Sequence, residues 1–355
     1  MNRLQNLDAL RFFLSAIVVL YHLPRLSRNQ GLPFYDALPI FHKGIEAVYM
    51  FFVLSGFLII RLIYRAKKRD TFSIKNFYVR RILRIFPLYY LIIVLGFLIY
   101  NVFLPALNIT FDIKYNITEG ILLTVFFMPN IFAVKFEPGG ILEILWSIGI
   151  EEQFYLLIAP LLYFTNKHKI LILLATLTSV YFVIFHLKYF EFLKHFEFVY
   201  FLLFFGGITS ILEEKKLLNM LKKNIFFPAL IFLITVLYFF TNWFEFESVW
   251  VSNAFTMVLF GLFIHTISCN HNGFTIKNKW INYFGKISYG IYMYHVLALN
   301  LIVFLFLKIK KIEIFNESIT IVLLNILTFA LTIFVSHFSY KYFEKYFLRL
   351  KNKFR

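Results

Sequence analysis

Along this chain apolar residues neither alternate with polar ones nor form amphipathic stripes. They come in runs of roughly 16 to 24 residues, separated by short polar segments. A helix rises about 1.5 Å per residue, so runs of this kind are sized to cross roughly 30 Å of hydrocarbon. Ten of them can be placed, at 7–24, 44–64, 85–104, 145–164, 170–187, 197–212, 225–242, 249–268, 284–307 and 318–340. The pattern predicts an all-α fold, a polytopic membrane bundle of about ten transmembrane helices in contact with the lipid bilayer. An eleventh apolar stretch, 117–134, is short and carries Pro129, and is expected to lie at the interface or to re-enter rather than to span.

Composition removes the alternatives. Of 355 residues, 60% are apolar and 15% charged, with 49 Phe, and the mean hydropathy is +0.74. A soluble domain carries about 25% charged residues, so a single soluble domain cannot hide this much apolar surface. The one cysteine, Cys269, forms no intrachain disulfide. The first run contains Asp8, Arg11 and His22 and is followed by no small-residue cleavage site, so it reads as a retained helix. No repeat or Gly/Ser-rich linker divides the chain. It reads as one integral-membrane domain over 1–348 with a short basic cytoplasmic tail at 349–355.

The net charge of +17 raises the question of nucleic acid, but its distribution answers it. With the N-terminus inside, the inner segments hold 25 of the 36 Lys and Arg residues and the outer ones 10. That is the positive-inside bias, and it puts both termini in the cytoplasm and makes nucleic acid an unnecessary partner. Were 117–134 a span, the later loops would distribute six basic residues inside and 15 outside, against the rule.

Charged groups within such runs are costly and point to function. Arg11 and His22 are eleven residues apart, which returns to within about 20° of one helix face and separates them by about 16 Å along the axis. Asp8 lies one turn before Arg11 as its ion-pair partner. Alone, Arg11 can also be read as an interfacial anchor, and His22 reads first as an interfacial or packing residue; sharing one face they describe a polar track. Ser147, Glu151 and Tyr155 repeat every four residues at the start of the fourth run, while Glu152 points about 100° away. A carboxylate beside an imidazole sets its tautomer, although a helix N-terminus also favours acidic residues.

Arg81 and Arg84 are three apart and face one way if helical, at the mouth of the third run, a disposition suited to phosphate. Topological anchoring accounts equally well for Arg80. Ser288, Tyr292 and His295 share a face of the ninth run, where substrate contact and interhelical hydrogen bonding are both open. The chain has no HExxH, no Cys-based metal spacing and no Walker-type loop, so neither metal nor nucleotide-hydrolysis chemistry is expected.

Five segments, in order, resemble the acyltransferase-3 family of bacterial integral-membrane O-acyltransferases. They are Arg11-x10-His22, FFVLSGFLI at 51–59, RRILRIFP at 80–87, LWSIGIEEQFYLL at 145–157 and ISYGIYMYH at 287–295. The resemblance implies a ten-helix core in the inner (plasma) membrane. It implies transfer of an acyl group, most often acetyl, from cytoplasmic acyl-CoA to a hydroxyl of an extracytoplasmic glycan, with no permanently bound cofactor. Family members often carry an Asp before the LSGF run; here that position is Tyr49, with Glu46 one turn earlier. Some carry a C-terminal hydrolase-like domain, which is not expected here because the chain runs only fifteen residues past its last predicted span.

Together these readings give a specific expectation. Arg81 and Arg84 hold the phosphates of coenzyme A, and the pantetheine arm passes Arg11. His22 serves as general base on the acceptor hydroxyl or as a transient acyl carrier, with Glu151 orienting it. Ser147, Tyr155 and His295 join Arg11, Arg81 and Arg84 as substrate-binding candidates. A glycan transporter or flippase, or a non-catalytic component of a polysaccharide export complex, is the competing reading. The first would be expected to show inverted internal symmetry, which the two halves lack.

Overall fold

The computed structural model describes residues 5–109, 111–222, 225–268, 275–310 and 316–354. Arg3 and Cys269 lie outside them. Among the described residues the chain is helical with no strand. A helix stands at each of the ten expected positions. They are α1 (Gln5–Asn29), α2 (Gly44–Lys68), α3 (Ile74–Leu98), α6 (Trp146–Phe164), α7 (Ile170–His186), α8 (Tyr200–Glu214), α9 (Phe226–Phe240), α10 (Val249–Ser268), α12 (Ser288–Lys310) and α13 (Glu317–Phe338). Between them lie α4 (Ile117–Val125), α5 (Pro129–Phe136) and α11 (Lys279–Lys286). Six spans among the described residues are long and apolar enough to cross a membrane: α1, α2, α3 with its extension to Ala106, α10, α12, and α13 with its extension to Leu350. The remaining four of the ten are helices of 15 to 19 residues.

The outward faces carry large apolar side chains that water would not tolerate in a row. Leu157, Phe164, Ile172, Val322, Ile326 and Phe334 are each more than half exposed. Exposed apolar surface of this extent marks a lipid-facing wall, and with the six spans it makes the protein a multi-pass membrane protein.

The stretch expected to re-enter does not span. Asn116 caps α4 by accepting from the amides of Thr118 and Glu119, and the chain reverses at Phe127 with φ +60°. Helices of nine and eight residues reach only about 13 Å each. The hairpin is pinned to α3, where Tyr89 Oη donates to the Thr124 carbonyl at 2.7 Å. It is pinned to α6 by Gln153 Nε2, which donates to the Phe127 carbonyl at 2.5 Å and Asn130 Oδ1 at 2.9 Å.

Inside the bundle α2 and α8 make the tightest contact. A Cβ on Gly56 would sit 1.9 Å from the Leu203 carbonyl oxygen, and one on Gly206 would sit 2.0 Å from that of Val53. Small residues at facing positions let two backbones touch, which is how helices gain packing energy where lipid offers no hydrophobic drive. At the far end of the same pair, Arg61 bonds Glu213 and Glu214 at 2.9 Å each, and Arg65 bonds Glu214 at 2.6 Å. These carboxylates neutralise two guanidinium groups that would otherwise be stranded in a largely desolvated wall.

The last turn of α6 is closed from another helix. Lys67 Nζ donates to the carbonyls of Leu162, Tyr163 and Thr165 at 2.6, 2.7 and 2.7 Å. These are acceptors that a helix end leaves unpaired, and a cation there also meets the negative end of the dipole. Lys67→Met is expected to cost about 1–3 kcal/mol, read as a lower melting temperature of the detergent-solubilised protein, with Lys67→Arg recovering most of the loss. An unchanged Tm in Lys67→Met would refute the cap.

Candidate functional site

A cavity of about 750 Å³ lies between α1, α2, α3, α6 and α12. It extends from Arg65, Lys286 and Lys351, at the end of the bundle where α1 begins, to Ser147 and Tyr292 in the interior. Of the eight residues expected from sequence to act in catalysis or substrate binding, six line it: Arg11, Arg81, Arg84, Ser147, Glu151 and Tyr155; Asp8, Ser288 and Tyr292 line it as well. Arg80, whose charge topology explains, is not among the lining residues.

Each side chain is held by a visible cause. Arg11 pairs with Asp8 at 2.7 Å, as the one-turn spacing implied. The Arg81 guanidinium stacks over the Tyr155 ring, 4.9 Å from its centroid, so the aromatic face offsets some of the cost of burying the cation. Ser147 and Tyr292 meet at 2.6 Å. The Tyr292 hydroxyl proton goes to the Ile144 carbonyl at 3.0 Å, so Ser147 is the donor in that pair. The lining is strongly cationic, with seven basic side chains against three acidic ones. Oriented guanidinium groups in such a low-dielectric enclosure favour a polyanionic ligand, and phosphate above all.

His22 and His295 stand apart from this cavity. Neither belongs to its lining, and His295 lies one turn beyond Tyr292 on α12. They face each other across the α1–α12 contact, His295 Nε2 lying 3.3 Å from His22 Nδ1, with ring centroids 4.9 Å apart. His295 is fully buried while His22 keeps partial access.

The expected pairing of His22 with Glu151 is corrected by this geometry. Glu151 accepts from Ser55 Oγ and Tyr155 Oη, both at 2.7 Å, and so binds α2 to α6. The hydrogen-bond partners of His22 are the Val18 carbonyl at 2.9 Å and His295. The four-residue repeat on α6 placed Glu151 correctly on the cavity face but carried no information about which neighbouring helix that face meets. His295 likewise does not line the cavity, although Ser288 and Tyr292 on its predicted face do.

Three cavity residues escaped sequence reasoning. Ser55 belongs to the LSGF run, whose presence was noted but whose hydroxyl was given no task. Arg61 was counted only as an anchoring charge. Glu344, in the turn Ser339–Glu344 that follows α13, projects a carboxylate into the cavity and accepts from Ser339 Oγ at 3.1 Å. The signal for it was available: a single acidic residue among the four lysines and two arginines that follow the last apolar run. The Tyr49 position also resolves. Its hydroxyl donates to Glu197 Oε2 at 2.9 Å, whereas Glu46 lies 3.5 Å from Lys43.

A helical bundle with a lipid-facing wall around a cationic cavity, with an imidazole pair beyond its inner end, defines an integral-membrane protein with an internal site whose charge suits an anion. Residues 4–338 match the family model of the acyltransferase domain, and the chain belongs to that family, acyltransferase-3. It is 32% identical over 161 residues to a peptidoglycan O-acetyltransferase of Listeria monocytogenes, a match covering 43% of this chain and 23% of that protein. Against an O-acetyltransferase of Staphylococcus aureus it is 31% identical over 167 residues, covering 43% of this chain and 24% of the relative. A putative acetyltransferase of Acidianus two-tailed virus is 29% identical over 301 residues, covering 82% of each. The matched regions thus amount to about a quarter of the length of the first two relatives. No solved structure matches the chain.

Proposed function

We propose that this protein is a membrane O-acyltransferase that moves an acyl group, acetyl in the simplest case, from cytoplasmic acyl-CoA to a hydroxyl of an extracytoplasmic glycan. The observation that carries the proposal is the cavity of about 750 Å³ in which Arg11, Arg81 and Arg84 converge, within a chain of the acyltransferase-3 family. The relatives named as O-acetyltransferases favour acetyl, and the first of them favours peptidoglycan as the glycan. The charge distribution supports ten spans with both termini in the cytoplasm; on that topology the Arg65–Lys351 end of the cavity would open on the side where acyl-CoA is found.

In this reading the coenzyme A phosphates rest on Arg81 and Arg84, and the pantetheine arm runs past Arg11 toward the Ser147–Tyr292 end. The acceptor hydroxyl approaches His22 from the other face. Its oxygen bonds to the thioester carbonyl carbon while its proton passes to His22 Nε2. The carbon–sulfur bond then breaks, and the thiolate recovers that proton to leave as free coenzyme A. Transfer through an acyl-imidazole at His22 would balance equally, with the acyl group resting on Nε2 between the two displacements.

The test uses full-length protein in lipid nanodiscs, which expose both faces, with radiolabelled acetyl-CoA and solubilised peptidoglycan strands. Label appearing in the glycan only when both substrates are present is the expected result. Absence of transfer to that and to other hydroxylated glycans would overturn the reading. Arg81→Gln and Arg84→Gln are each expected to raise the KM for acetyl-CoA about tenfold, equivalent to roughly 1.4 kcal/mol, with kcat little changed. An unaltered KM in both would move the phosphate site elsewhere.

A further inference from the structure

We infer that His295 is the positioning residue for His22, doing with a neutral imidazole what a carboxylate does beside a catalytic histidine; this rests on the proposed role of His22. The protonation pattern follows from the partners. A carbonyl oxygen can only accept, so the bond from His22 Nδ1 to the Val18 carbonyl, 2.9 Å, places the proton of the neutral ring on Nδ1. The same holds for His295, whose Nδ1 lies 2.5 Å from the Tyr292 carbonyl. A neutral imidazole carries one N–H, so each ring has a bare Nε2. The bare Nε2 of His295 faces His22 Nδ1 at 3.3 Å and accepts the second branch of its N–H.

Two consequences follow for His22. Its Nε2 is left as the lone-pair atom, the one a general base needs, and its ring is held about two axes by acceptors from two different helices. When Nε2 takes the acceptor's proton, positive charge spreads to Nδ1–H, where the His295 lone pair meets it. Full burial of His295 keeps competing water from that lone pair. Glu151 takes no part in this arrangement: its carboxylate accepts from Ser55 and Tyr155, while His22 bonds the Val18 carbonyl and His295.

Three variants separate the possibilities in the nanodisc assay, with acetyl-CoA and solubilised peptidoglycan strands as substrates. His295→Leu removes the acceptor and is expected to lower kcat about 100-fold at unchanged donor KM. His295→Gln presents Oε1 near the position of the lost Nε2 and is expected to recover to within about tenfold of the natural chain. Nitrogen-15 NMR of the histidine-labelled protein, which has nine histidines, supplies a readout that needs no turnover. His22 should be protonated at Nδ1 alone in the natural protein and in His295→Gln, and should show mixed tautomers in His295→Leu.

Full activity and an unchanged tautomer in His295→Leu, alongside an inactive His22→Gln, overturn the inference while leaving the general-base reading intact. A raised KM with unchanged kcat also overturns it, because His295 would then be contacting substrate. So does a folded His295→Gln no more active than His295→Leu. Full activity in His22→Gln overturns the reading of His22 itself, and the inference with it.

Discussion

His22→Gln leaves a folded protein that no longer transfers acyl groups. Loss of a positioned general base costs about 10²- to 10⁴-fold in rate, or about 3–5 kcal/mol of barrier. The loss should fall on kcat, with donor KM within a factor of two or so, because the groups assigned to the donor, Arg11, Arg81 and Arg84, line a cavity to which His22 does not belong. Glutamine can still donate toward the Val18 carbonyl and His295, so α1 keeps its polar contacts with α12 and the thermal transition should move little. Rates measured with labelled acetyl-CoA, beside a melting curve of the same preparation, distinguish lost chemistry from lost structure. Transfer at the natural rate would sink the role of His22. A collapsed melting transition would make it a packing residue instead.

The second large effect is structural and lies at Gly56. A valine there would drive its Cβ to 1.9 Å from the Leu203 carbonyl oxygen and 2.7 Å from the carbonyl carbon, both helix backbone. Neither can rotate away as a side-chain tip could, so α2 and α8 must separate. That parting is not local. It moves Ser55, which bridges to Glu151, and pulls on the Arg61 and Arg65 pairs with Glu213 and Glu214. Overpacking usually costs about 1–3 kcal/mol, and more where backbone must shift and buried ion pairs are broken. Gly56→Val is therefore expected to yield no monodisperse detergent-solubilised protein, and Gly56→Ala a folded protein with a clearly lowered Tm. Gly206→Ala should resemble Gly56→Ala, since it meets the Val53 carbonyl from the opposite helix. A Gly56→Val protein with the natural melting temperature would refute the close contact. The same contact gives the LSGF run a physical reason: its serine ties α2 to α6 and its glycine lets α2 reach α8.

Much of the site was legible from spacing within single helices. The 3.6-residue period placed Arg81 with Arg84, and Ser147 with Glu151 and Tyr155, on common faces, and all five line one cavity. The same period paired Asp8 with Arg11. Periodicity carries nothing where the relation crosses helices. Glu151 was expected to orient His22, yet the rotation of α1 and α6 about their own axes gives each a different partner.

The amino-acid sequence by itself determined the class of protein, the positions of the ten helices, the short hairpin between α3 and α6, and the family. All of these follow from apolar run length, charge bias and local motifs, which need no knowledge of neighbours. Only the tertiary structure decided that His22 faces His295, 273 positions away, that Ser55 holds Glu151, and that Glu344 reaches the cavity. Those pairings depend on how each helix is rotated against the next. That rotation is set by packing at points such as Gly56 against Leu203, a property of two surfaces in contact rather than of either strand of sequence alone.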